Sequence, residues 1–201
     1  GVSGFQISFS STAIHTPGDE PDVLVAMNPA ALKTNLGDLP AGGALIVNSD
    51  AFTAANLSKA AYASNPLTDG SLKPYVTFEI PISTLNERSL NGLDMTSKQK
   101  DLTKNFFALG IMFWLYERSM TPTIEWVDQK FSARPVVAEA NKRALNVFFK
   151  DTATTGIYTV GHTLSLHGAL PISSFRFGMA GDIPVSGDWN GDGVTDAGVF
   201  R

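Results

Sequence analysis

The chain has 201 residues, 43% of them hydrophobic, and a formal charge of −4. That length holds one good-sized domain, or one domain and a small appendage, with a packed core over much of it. The negative balance argues against nucleic acid or an anionic membrane surface as main partner. The absence of cysteine excludes disulfides, thiolate metal sites and a cysteine-ligated iron–sulfur cluster on this chain, and it fits a cytoplasmic setting.

The sequence opens at Gly1 without Met, inside what reads as a strand, so a missing N-terminus is expected. Phe5, Ile7 and Phe9 alternate with Gln6, Ser8 and Ser10, the period of a half-buried strand. Asp22–Met27 is a continuous apolar run, as in a strand covered on both faces. Asn28 then caps a short helix with Pro29 at its first position. Gly42 and Gly43 close a turn before a second buried strand, Ala44–Asn48, and a helix-prone but poorly patterned stretch follows over 50–63. Val76, Phe78 and Ile80 alternate with Thr77 and Glu79 in a further strand that Pro81 stops.

From Ser97 the character turns helical. One long helix is expected over 98–117, then another capped by Thr121 with Pro122 at its first position and Ile124, Val127 and Phe131 inward. Pro135 breaks it, and a last helix runs from about Val136 to Val147. The longest apolar run, 106–116, falls short of the ~20 residues a spanning helix needs and reads as a buried core helix, with no membrane partner implied. Strands alternating with helices, then helices alone, predict an α/β domain over residues 1–147, its open sheet flanked by helices.

Residues 148–174 break this logic: Thr, Ser, Gly and Ala dominate and no helical period is sustained. FFKDTATTGIYT and TLSLHGALPIS resemble the in-frame translation of a sequencing adapter, which implies a segment never selected to fold. Residues 175–201, with GDIPVSGDWNGDGVTDAGVFR, resemble one repeat of the FG-GAP or VCBS kind. Such architectures bury their core by stacking several repeats, so a lone one is expected to be an irregular β tail. Its Asp188, Asn190, Asp192 and Asp196, with Gly193 at the turn, space oxygen ligands as a Ca²⁺ ion requires. The competing reading is an unliganded acidic turn. The chain as a whole reads as two gene fragments joined through adapter-derived sequence.

Catalytic constellations are absent from the pattern. His15 stands in a loop without a second ligand at useful spacing, and His162 and His167 lie in the adapter-like segment. Gly42–Gly43 precedes a strand, whereas a dinucleotide fingerprint follows one and opens a helix. This counts against a free-standing nucleotide-binding domain. Asn28 and Asn48 each follow the carboxyl end of a buried strand, where open α/β sheets bind ligands, and Asp50 and the loop 16–19 stand near them in sequence. Capping and turn formation compete with a ligand role at both asparagines. Asp19, Glu20 and Asp22 read as a solvated turn, and Trp114, Trp126, Phe106, Phe107 and Phe113 read as core.

The blocks SGFQISFSSTAIHTPGDEPDVLVAMNPAAL, GALIVNSDAF, KNFFALGIMFWLYER and WVDQKFSARPVVAEANKRAL, in this order from Gly1 to about Leu145, resemble the γ domain of 2-oxoacid:ferredoxin oxidoreductases, in the form fused to the α subunit of 2-oxoglutarate-type enzymes. The resemblance implies a Rossmann-like domain that helps assemble a complex. That complex decarboxylates a 2-oxoacid such as 2-oxoglutarate or pyruvate with thiamine diphosphate, passes electrons through iron–sulfur clusters to ferredoxin, and forms an acyl-CoA. It implies no cofactor on this chain and no catalytic residue; the partners are other subunits of the oxidoreductase, with ferredoxin and CoA at the level of the complex. The family's first strand and Gly-rich loop are not seen before Gly1, and an open apolar sheet edge is expected in their place. The expected role is structural, without activity in isolation. The alternative is a Ca²⁺-dependent interaction module acting through the tail.

Overall fold

The computed structural model describes residues 4, 6–8, 20–116, 118–150, 174–176, 183–187 and 196–200. They fall into two compact units, one built on residues up to Ile80 together with the tail strands, the other beginning at Pro81.

The first unit is a sheet. Its strands are β1 (Gln6–Ser8), β2 (Val23–Ala26), β3 (Ala44–Asn48), β4 (Val76–Ile80) and β5 (Ser174–Arg176), in the order β1-β5-β2-β3-β4. β2, β3 and β4 are parallel, with Val23 opposite Ala44 and Asn48 opposite Ile80. The apolar runs explain the strands: every residue of β2 and β3 is buried. On one face Leu24, Ala26, Leu45 and Val47 pack with Leu32, Leu39, Phe52 and Leu72. Burying each such side chain contributes roughly 1.5–3 kcal/mol. β4 is bonded to β3 alone among the described strands, and it shows the mixed exposure of an edge, with Val76 45% exposed and Ile80 fully buried. The helices α1 (Pro29–Asn35) and α2 (Ala54–Lys59) link β2 to β3 and β3 to β4. The parallel α/β sheet is therefore as expected.

A tail strand meets part of β2. β5 lies parallel to β2, pairing with Val23 and Leu24, and antiparallel to β1. Buried strands do not tolerate unbonded amides, and a tail segment supplies part of that ladder. A separate antiparallel pair joins β6 (Ile183–Gly187) to β7 (Asp196–Phe200).

The second unit is helical: α3 (Ile82–Ser89), α4 (Ser97–Leu102), α5 (Lys104–Leu115), α6 (Thr121–Lys130), α7 (Pro135–Leu145) and α8 (Val147–Lys150). α5 is its centre, burying Phe107, Ala108, Ile111 and Met112. Phe107 meets Phe148 edge-on at 5.7 Å and Trp126 meets Phe131 at 6.2 Å, so these aromatics serve packing. Gly110 lets α5 approach the end of α7 backbone to backbone: a Cβ there would fall 2.2 Å from the Leu145 carbonyl oxygen.

Three expectations need correction. α3 was not expected, because Pro81 reads only as a strand stop; in fact its carbonyl accepts the Leu85 amide at 3.0 Å and begins a helix with few apolar residues. The single helix over 98–117 is two, divided at Thr103, whose buried side chain turns onto the Lys100 carbonyl and Asn86. Thr121 is not a cap but the first helical residue, since the Ser119 hydroxyl accepts the Thr121 amide at 3.3 Å.

Candidate functional site

The place to look is the carboxyl ends of β2, β3 and β4. Asn28 follows β2 with extended backbone (φ −162°, ψ 167°), and its Oδ1 accepts the Ala31 amide at 2.9 Å. Pro29, which lacks an amide hydrogen, occupies the first turn, so the cap serves a donor that needs one. Asn48 ends β3 and is 1% exposed. Its Nδ2 donates to the Met27 carbonyl at 3.4 Å, across the ends of the two strands. The turn Ser49–Ala51 begins without a side-chain cap from Asn48. Both amides thus hold backbone at the sheet's carboxyl edge. Asp50 is half-buried beside them in sequence, and Asp22 and Glu20 precede β2. His15, the loop 16–19, His162 and His167 lie outside the described residues, as do Asp188, Asn190 and Asp192. Asp196 opens β7, opposite Gly187.

The loop after α2 is anchored by a residue that sequence reasoning did not single out. Lys33, in the last turn of α1, donates from Nζ to the carbonyls of Ala60 (3.0 Å) and Ala61 (2.7 Å). Its ammonium also stands 5.1 Å from the Tyr62 ring centroid. A cation is favoured where helical carbonyls end, and it meets the chain at Ala61, which holds a left-handed φ of 55°. No local pattern announces such a contact 27 residues away. Further along, the Asp69 carboxylate accepts from Ser64 Oγ at 2.5 Å and from the Ser71 amide at 2.9 Å. These hydrogen bonds hold its pKa below the usual carboxylate range. Burial, and secondarily the Asp69 charge, push the Tyr62 hydroxyl upward.

Among the described residues, no group of three or more His, Asp or Glu side chains is placed to hold a metal ion. No described helix is long and apolar enough to cross a membrane. At the strand ends Asn28 caps α1, and Asn48 ties the end of β3 to the Met27 carbonyl.

The fold, a parallel sheet followed by a helical unit, meets its relatives here. Residues 1–148 match the family model of pyruvate ferredoxin/flavodoxin oxidoreductase, and the chain belongs to that family. It is similar to the 2-oxoglutarate oxidoreductase subunit KorA of Mycobacterium tuberculosis (strain ATCC 25618 / H37Rv), with 44% identity over 177 residues. That alignment covers 88% of this chain and 27% of the mycobacterial subunit, so the chain spans about a quarter of that relative's length. No solved structure matches it.

Proposed function

We propose that this chain supplies an assembly domain to a CoA-dependent 2-oxoacid:ferredoxin oxidoreductase of the cytoplasm, acting on 2-oxoglutarate. The observation that carries this reading is the 44% identity to a 2-oxoglutarate oxidoreductase subunit, coupled with a family match over 1–148. The role is structural: the strand-end amides Asn28 and Asn48 hold backbone. The partners are the remaining domains and subunits of the oxidoreductase, with ferredoxin and CoA meeting the complex elsewhere.

The thiamine diphosphate and iron–sulfur clusters of such a complex belong to its other domains and subunits. A cysteine-ligated iron–sulfur cluster requires thiolates, and the chain has no cysteine. The test is expression of residues 1–148 beside a relative's subunit from which the matching segment is deleted. Copurification, with no 2-oxoglutarate-dependent ferredoxin reduction by the isolated chain, supports the proposal. Turnover by the isolated chain would refute it.

A second reading gives the tail a Ca²⁺ ion on Asp188, Asn190, Asp192 and Asp196. It is supported by the pairing of Gly187 with Asp196, which brings the two ends of that stretch together on β6 and β7. Calorimetric titration of the full chain with Ca²⁺ decides it: a flat trace removes the reading.

A further inference from the structure

The segment 91–102 differs from everything around it. Leu90 is fully buried and Thr103 is 1% exposed, yet no residue between them is buried. α4 lies wholly within this stretch and buries none of its residues, and Leu102 leaves its side chain 43% exposed. The helices on either side are different: α3 buries Ile82 and Asn86, and α5 buries six residues.

Polar contacts hold the segment. At its start the Asn91 carbonyl accepts from Arg143 at 3.1 Å, and Gly92 turns the chain at φ +81°. At its end the 2% exposed Asn86 donates from Nδ2 to the Lys100 carbonyl (3.1 Å) and to Thr103 Oγ1 (2.9 Å). Thr103 Oγ1 lies 2.7 Å from the same carbonyl. Lys104 adds an ion pair with Asp101 and a 3.2 Å bond to Ser83. Inside the segment, α4 is secured by its own capping box between Thr96 and Gln99. A helix kept by caps and hydrogen bonds, without an apolar face, retains its local structure but gains little from the core. The free energy that keeps it closed is the polar latch.

We propose that residues 91–102 form a strap that opens as a unit, hinged at Gly92 and Thr103 and latched by Asn86, while α5 and α7 stay folded. Opening leaves the core of the helical unit intact, because no residue of the strap is buried. It uncovers the Asn86 amide, whose bond to the Lys100 carbonyl it breaks.

Native-state hydrogen exchange on the full chain, at rising sub-denaturing urea, tests this directly. The amides of Lys100, Asp101 and Leu102 should exchange at a shared rate that urea barely changes, while Phe107 and Ile111 exchange only with global unfolding. A single urea-dependent isotherm for both groups overturns the strap. In Asn86→Ala the strap amides should quicken at least tenfold more than those of α5. Equal acceleration in both overturns the assignment of the latch, even where the variant is less stable overall.

Discussion

Gly110→Ala puts the packing of the helical unit to a quantitative test. An alanine Cβ would stand 2.2 Å from the Leu145 carbonyl oxygen, 3.0 Å from its carbon and 3.2 Å from its Cα. Ordinary contact would need the oxygen about 1 Å further away, and all three atoms are backbone, so no rotamer relieves the clash. Helix propensity favours alanine by about 1 kcal/mol, whereas overpacking costs roughly 1–3 kcal/mol or more when backbone must shift. The clash wins because α5 and α7 must separate along buried Phe107, Ile111, Ala140 and Ala144. A net loss of up to about 2 kcal/mol is expected, seen as a Tm lower by up to roughly 4–8 °C. Gly37→Ala is the control: nothing lies within 4 Å of its Cβ position, and a gain of up to ~1 kcal/mol is expected from the unfolded state. Circular dichroism through thermal and urea unfolding reads both. Gly110→Ala as stable as the parent chain would refute the close approach of α5 to α7.

Asn28→Ala removes the acceptor for the Ala31 amide and should cost about 1 kcal/mol in urea unfolding; Asn28→Asp should retain most of it. Asn48→Leu strips a buried amide from the Met27 carbonyl and should cost roughly 1–3 kcal/mol, with faster exchange at the ends of β2 and β3. Asp69 has a lowered folded pKa. It binds fewer protons folded than unfolded across that window, so its stabilisation is present above the unfolded value and is lost as pH falls through the folded one. Acid titration of Asp69→Asn should therefore lack one component of the stability loss that the parent chain shows below the ordinary carboxylate range.

Legibility followed the range of the interactions. β2 and β3 are visible because every residue is apolar and buried, and α1 because Asn28 and Pro29 signal its start locally. α3 stays hidden because Ile82 and Asn86 are its only buried positions, too few for a helical period. The division at Thr103 has no glycine or proline to mark it; its cause is Asn86, 17 residues away. At the strand ends, sequence picks out Asn28 and Asn48 as positions. The turn of the Asn48 amide onto Met27 depends on strand pairing across 21 residues, which no local pattern encodes. The same holds for Lys33 and for the seat of β5 beside β2. The adapter-like reading of 148–174 rests on sequence alone: the nucleotide sequence underlying it is expected to match an adapter, and genomic DNA running intact through the junction would contradict it.

The most direct measurement is a domain exchange: residues 1–148 of this chain replace the matching segment of the mycobacterial subunit, and the assembled complex is assayed for oxidation of 2-oxoglutarate. The account predicts an assembled complex that turns over. A hybrid that folds and assembles but has no activity would contradict it, as would one that folds yet fails to join its partner subunits.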